Sequence, residues 1–166
     1  MTKSILRKYA KLIVQMGVNI KKGQGAVILA DTAQSEIALM VAEEAYRAGA
    51  KWVDIRWTNQ DLDKMRYKKE SVKVLSATQE WEKARMQYEL DELPVRIWID
   101  SDDPDGLKGV NVEKMQKANL ARMKVRKPYR DAMENKYQWT IVAVPSAKWA
   151  KKVFPNDRTS VAVKKL

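Results

Sequence analysis

Two stretches decide the fold: Ala26-Val27-Ile28-Leu29-Ala30 and, one helix later, Lys51-Trp52-Val53-Asp54-Ile55-Arg56-Trp57. The first holds no polar residue. Such a run suits a strand covered on both faces, the usual setting of a parallel sheet. Asp31 or Thr32 stands where the next helix needs an N-cap. Ile37, Met40, Val41, Ala45 and Ala48 recur at helical spacing, and Gly49 closes the helix. The second stretch follows at once as a strand. The result is one β–α–β unit, whose crossover is expected to be right-handed.

Upstream, Ser4 to Met16 reads as a helix with Ile5, Tyr9, Leu12, Ile13 and Met16 on one face. Gly17 is placed as its left-handed cap. Downstream, Thr58-x-x-Asp61 and Ser76-x-x-Gln79 resemble capping boxes. The second leads into a helix with Trp81, Ala84 and Tyr88 on its apolar side. Pro94 interrupts, Val95 to Ile99 forms a third strand, and Asp100 to Gly109 is a polar loop. A helical stretch runs from Val112 to Asn135, which Pro128 is expected to end or kink. Trp139 to Val144 is a fourth strand, and Pro145 and Ser146 open a short helix. Asn156 or Asp157 caps a last one, where Val161, Val163 and Leu166 start an apolar pattern. This alternation predicts a layered α/β/α domain with a mainly parallel sheet of about four or more strands.

The composition of the 166 residues narrows the chemistry: cysteine and histidine are both absent. No Cys/His zinc site, Ser-His-Asp triad or imidazole base can be built from these residues. The apolar fraction of 45% and charged fraction of 32% fit a folded domain. No apolar run reaches the roughly 20 residues of a membrane span. Met1 to Leu6 lacks the apolar core of a signal peptide, so a cytoplasmic location is expected.

Ligands of open parallel sheets bind beyond the carboxyl ends of the strands. Those ends carry Asp31 and Thr32, Thr58 and Asn59, Asp100 to Asp103, and Pro145 with Ser146. The turn after the first strand has no glycine, and Asp31 would repel phosphate, which argues against a dinucleotide site. Asp100, Asp102, Asp103 and Asp105 with Gly106 have the wrong spacing for an EF-hand and read as an ordinary turn. Lys114, Lys117, Arg122, Lys124, Arg126, Lys127 and Arg130 make one helix basic, and the net charge is +11. Those cations lie on more than one face without an RNA-binding aromatic motif, so they read as a solvated surface over inward Val112, Met115 and Met123. The six tryptophans read first as core residues. Trp57 and Trp149, near strand ends, are candidates for lining a pocket.

Five strings resemble one family in order and spacing. They are Leu6-Arg-Lys-Tyr-Ala-Lys-Leu-Ile-Val14, Gly17-Val-Asn-Ile-Lys-Lys-Gly-Gln24, Ala45-Tyr-Arg-Ala-Gly-Ala-Lys-Trp-Val53, Asp103-Pro-Asp-Gly-Leu-Lys-Gly-Val110, and Trp139-Thr-Ile-Val-Ala-Val-Pro-Ser-Ala-Lys-Trp-Ala150 with Val153-Phe-Pro155 after it. Together they resemble the amino-terminal region of the thermophilic-type metalloaminopeptidases, the aminopeptidase T and PepS family.

The resemblance implies metal-assisted removal of amino-terminal residues from peptides, with two divalent ions such as zinc, cobalt or magnesium. It places the metal ligands in a carboxy-terminal catalytic domain, so no catalytic or metal-binding residue is expected here. Residues 1–155 would be the amino-terminal domain and residues 156–166 the start of a truncated helix leading to the missing part. The fragment would be inactive alone, and the intact enzyme would be a homo-oligomer acting on peptides, away from membranes. Trp149, Ser146 and Trp57 are the expected rim that restricts access to the catalytic domain. The alternative is a basic α/β module that binds nucleic acid, a disfavoured partner, or serves structure or dimerisation.

Overall fold

The computed structural model describes residues 2–166. Strands β1 (Gly25–Asp31), β2 (Trp52–Thr58), β3 (Val95–Asp100) and β4 (Trp139–Ala143) form one sheet in the order β2-β1-β3-β4. Every pairing is parallel. The α/β class and the parallel sheet are as the sequence predicts. The apolar run 26–30 becomes the central β1, whose Val27 and Ile28 are fully buried. Ile28 sits in register between Ile55 of β2 and Ile97 of β3.

The chain folds into two compact units. The first comprises residues 1–59, 94–105 and 138–166, and contains the whole sheet. Its helices are α1 (Lys3–Leu12), α2 (Ser35–Arg47), α7 (Ala147–Val153) and α8 (Thr159–Lys165), and its second segment supplies β3. Helices α1 and α2 pack together over one face of the sheet. There Leu6, Ala10, Val14, Ile37 and Val41 meet Ala26, Ile28, Val95 and Ile97 in one apolar cluster. Burying a side chain such as Ile28 contributes about 2–3 kcal/mol. Gly49, at φ +96°, turns the chain from α2 into β2, a conformation that costs glycine no steric penalty.

The second unit comprises residues 60–93 and 106–137. It holds α3 (Gln60–Lys69), α4 (Val72–Ser76), α5 (Glu80–Glu92) and α6 (Val112–Met133), with α4 and α5 packed on α6. Few large apolar side chains are buried in it: Leu75, Val110 and Met133, with the small Ala118. A buried polar link reinforces them. The Arg122 guanidinium of α6 donates to the carbonyl of Ala77 at 2.6 Å and to the carboxylate of Glu82 on α5. Burial alone would raise the Glu82 pKa. The hydrogen bond from the Gln79 backbone N–H, the one from Arg122, and the charges of Arg122 and Arg126 outweigh burial and hold it below the usual value.

Several local expectations are overturned. The inward face of α1 carries Leu6, Ala10, Ile13 and Val14, whereas Ile5, Leu12 and Met16 are exposed. Helix α1 passes into a wide π-type turn over Ile13–Gly17, so Gly17 is not a left-handed cap. Asn19 takes the positive φ instead. An added Cβ at Gly17 would stand 3.3 Å from the Thr140 side chain, so close packing explains this glycine.

In α5 the expected faces are inverted. Trp81, Ala84 and Tyr88 are exposed and Glu82 and Glu89 are buried, because Arg122 gives the carboxylate of Glu82 a partner that the helical pattern does not reveal. The capping pair is Gln79 with Glu82, one turn later than Ser76 with Gln79. Ser71 caps the additional helix α4. Asn59, not Thr58, immediately precedes α3, and its amide donates to the Thr32 hydroxyl at 2.9 Å. Helix α6 runs unbroken through Pro128. That residue is exposed, so water can solvate the carbonyl that its missing N–H leaves unbonded.

Val112 and Met123 are exposed, and Ala118 is the buried residue of that helix. No tryptophan is fully buried: Trp57, Trp81 and Trp139 are exposed and Trp52, Trp98 and Trp149 half-buried. Helix α8 starts at Thr159 with Arg158 at its cap, later than Asn156 or Asp157.

Candidate substrate-access rim

Parallel pairing brings the carboxyl ends of all four strands to one edge of the sheet. Trp57 lies near the end of β2, paired with Ala30, and is 44% exposed. Ser146 and Trp149 follow β4 at the opposite margin. Three inter-strand spacings separate the two margins, roughly 14 Å. The sheet therefore brings Ser146 and Trp149 together and keeps Trp57 apart from them.

The Ser146 hydroxyl accepts the Trp149 backbone N–H at 3.2 Å, capping α7. This is the ordinary capping role of serine. It fixes the start of α7 and with it the place of the half-buried Trp149 indole.

The acidic residues at this edge are tied into local structure. Asp31 Oδ1 accepts the Ala33 N–H at 2.8 Å, and Asp103 Oδ1 accepts that of Asp105 at 3.0 Å. Lys148 lies 3.6 Å from Asp103, and Lys152 donates to Asp105 at 2.6 Å. The hydrogen bond from Lys152 to the Asp105 carboxylate raises the lysine pKa. These contacts anchor α7 to the loop after β3.

Among the described residues, no group of three or more Asp, Glu, His or Cys side chains could hold a metal ion. This donor set does not fit a dinuclear centre, which needs several carboxylate or imidazole ligands converging on each ion.

The same unit contains a groove that the sequence did not mark. Ile5, Tyr9 and Leu12 of α1, Pro145, and Val163 and Leu166 line a largely apolar space of about 880 Å³. The Tyr9 hydroxyl donates to the Ala143 carbonyl at 3.2 Å, tying α1 to the end of β4. Burial raises the Tyr9 pKa. The available signal was the spacing of Ile5, Tyr9 and Leu12, which marks one face of α1 but does not say what covers it.

Residues 2–166 match the family model described as thermophilic metalloprotease (M29). The chain belongs to the M29 family. It is 34% identical to aminopeptidase PepS of Streptococcus thermophilus, over 93% of this chain and 38% of that one. It is 30% identical to aminopeptidase T of Thermus thermophilus, over 97% of this chain and 40% of that one. The solved structure of wild-type AmpT from Thermus thermophilus superposes with a TM-score of 0.87, covering 99% of this chain and 42% of that chain. This M29 chain thus spans about two fifths of the length of these relatives. The likeness extends through both compact units, and no described helix is long and apolar enough to cross a membrane.

Proposed function

We propose that this chain is the amino-terminal, non-catalytic part of a dinuclear metalloaminopeptidase and restricts access to the catalytic domain. The M29 match over residues 2–166, in a chain spanning about two fifths of its relatives, carries the reading. In the intact enzyme two divalent ions, zinc, cobalt or magnesium, supply Lewis-acid chemistry and activated water. Their ligands come from a carboxy-terminal catalytic domain. The division at residue 155 belongs to this proposal, with residues 156–166 leading toward that domain. The intact protein acts on peptides, as a homo-oligomer in the cytoplasm.

The chain's own residues order the entrance. Ser146 sets the start of α7, and Lys148 and Lys152 tie the helix to the loop after β3. That arrangement positions Trp149 as a bulky, half-buried wall. Trp57 marks the other margin of the sheet. Narrow access would admit unfolded peptides and reject folded chains.

The test uses the 166-residue chain and a chimera in which it replaces the matching region of aminopeptidase T of Thermus thermophilus. The chain alone, assayed with each of the three ions, is expected to release no amino-terminal residue. Metal is also expected to leave its melting temperature unchanged. The chimera is expected to hydrolyse peptides, and Trp149→Ala to change which peptide lengths it accepts. Turnover by the pure chain would refute the non-catalytic assignment. An unchanged length profile in the Trp149→Ala chimera would refute the rim.

A further inference from the structure

We propose that Arg122, Arg126 and Arg130 on α6 form a binding site for an extended acidic peptide, whose alternate carboxylates pair with successive guanidinium groups. The inference concerns the helical unit alone and goes beyond the aminopeptidase reading. The three arginines occur at intervals of four residues, which places them on one helix face about 6 Å apart along the axis. With Asn119, Met123 and Lys127 they line a groove of about 380 Å³.

The charges within the groove are unevenly compensated. Arg122 pairs with Glu82, and Lys127 and Arg130 share Asp131. Arg126 makes no ion pair or hydrogen bond with any described residue. Its pKa lies below the usual guanidinium value, first through desolvation and then through the neighbouring charge of Arg122. An incoming anion would offset the repulsion from Arg122. Arg122 spends Nη1 and Nη2 on the carbonyl of Ala77 and the carboxylate of Glu82, yet a guanidinium has five N–H donors.

Spacing and groove chemistry select the ligand. Alternate side chains of an extended peptide recur about 6.8 Å apart on one side, close to the rise between successive arginines. Guanidinium groups also match carboxylates in a two-pronged fashion. Asn119 Oδ1 accepts from the Tyr67 hydroxyl at 3.3 Å, which leaves its Nδ2 to donate to a peptide carbonyl. Single-stranded nucleic acid has a similar phosphate repeat, but its bases need aromatic platforms, and no aromatic side chain lines this groove. An acidic peptide needs none.

The experiment measures fluorescence anisotropy with the full 166-residue chain. The probes are a labelled peptide with Glu at alternate positions, the same peptide with Gln in place of each Glu, and a single-stranded RNA of similar charge. The Glu peptide is expected to bind in a salt-sensitive manner, and the Gln peptide and the RNA at least about tenfold more weakly. Arg126→Gln combined with Arg130→Gln leaves the Arg122–Glu82 link in place and is expected to weaken Glu-peptide binding at least about tenfold. Arg126→Lys with Arg130→Lys keeps the charge but not the fork, and is expected to fall between. Equal binding of Glu and Gln peptides, preference for the RNA, or parental affinity in a folded Gln double variant would each overturn the proposal. Because the assay reads binding, none of these outcomes bears on the aminopeptidase assignment.

Discussion

Arg122 and Glu82, forty residues apart in sequence, meet as a guanidinium–carboxylate pair between α6 and α5. Neither side chain is more than about a quarter exposed, with 22% for Arg122 and 11% for Glu82. Removing one partner strands the other in a poorly hydrated place. Arg122→Met is therefore expected to cost about 2–4 kcal/mol in urea unfolding. Adding Glu82→Leu to that variant should recover a large part of the loss, since the stranded charge disappears as well. A double variant as unstable as the sum of the two singles would show that the pair is not coupled.

Acid stability should report the same contact. The folded-state pKa of Glu82 lies below its usual value, so its contribution is fully present above the unfolded pKa, about 4.5. It is lost as pH falls through the folded pKa. Unfolding midpoints measured downward from pH 5 are expected to drop less steeply in Glu82→Gln than in the parent. Parallel pH curves for the two proteins would remove Glu82 from the account.

Gly25 opens β1 directly beside Trp52 of β2. A Cβ built at Gly25 would lie 2.2 Å from the Trp52 ring. Gly25→Ala is expected to destabilise by about 1–3 kcal/mol, as overpacking does. Combining it with Trp52→Leu should cost less than the two changes separately, as judged by thermal melts. Additive losses would show that the ring is not the obstacle.

Pro128 lies inside α6 and is exposed. Pro128→Ala restores a backbone donor within the helix and removes the ring clash. It is expected to stabilise the chain by about 1–3 kcal/mol. Chemical denaturation with an unchanged or earlier midpoint would contradict this.

The sheet was readable because its signals are local. The run 26–30 lacks polar residues, and a strand buried on both faces needs nothing more to be recognised. Gly49 and Pro94 delimit the neighbouring elements in the same way. The helical unit was harder to read because its partners are remote. Nothing near Glu82 in sequence announces that Arg122 will neutralise it, so Trp81 and Tyr88 looked like the inward face of α5. The π-type turn at Ile13–Gly17 likewise has no marker in the local pattern, and the reason for a glycine at 17 lies in the remote Thr140, whose side chain a Cβ there would crowd. At the rim, the serine cap before α7 was legible. The separation of Trp57 from Trp149 depends on strand order, which one sequence does not disclose.

The polypeptide leaves the sheet-bearing unit after residue 59, returns at 94, leaves again after 105 and returns at 138. Simple shortening from either terminus therefore cannot release the helical unit intact. Deleting 106–137 would take Arg122 away and orphan Glu82, while deleting 60–93 would orphan Arg122. A protease nick within either excursion is a different matter. The severed pieces would still be gripped by parallel strands on both sides of the cut, so the clipped protein should migrate as one particle until denatured.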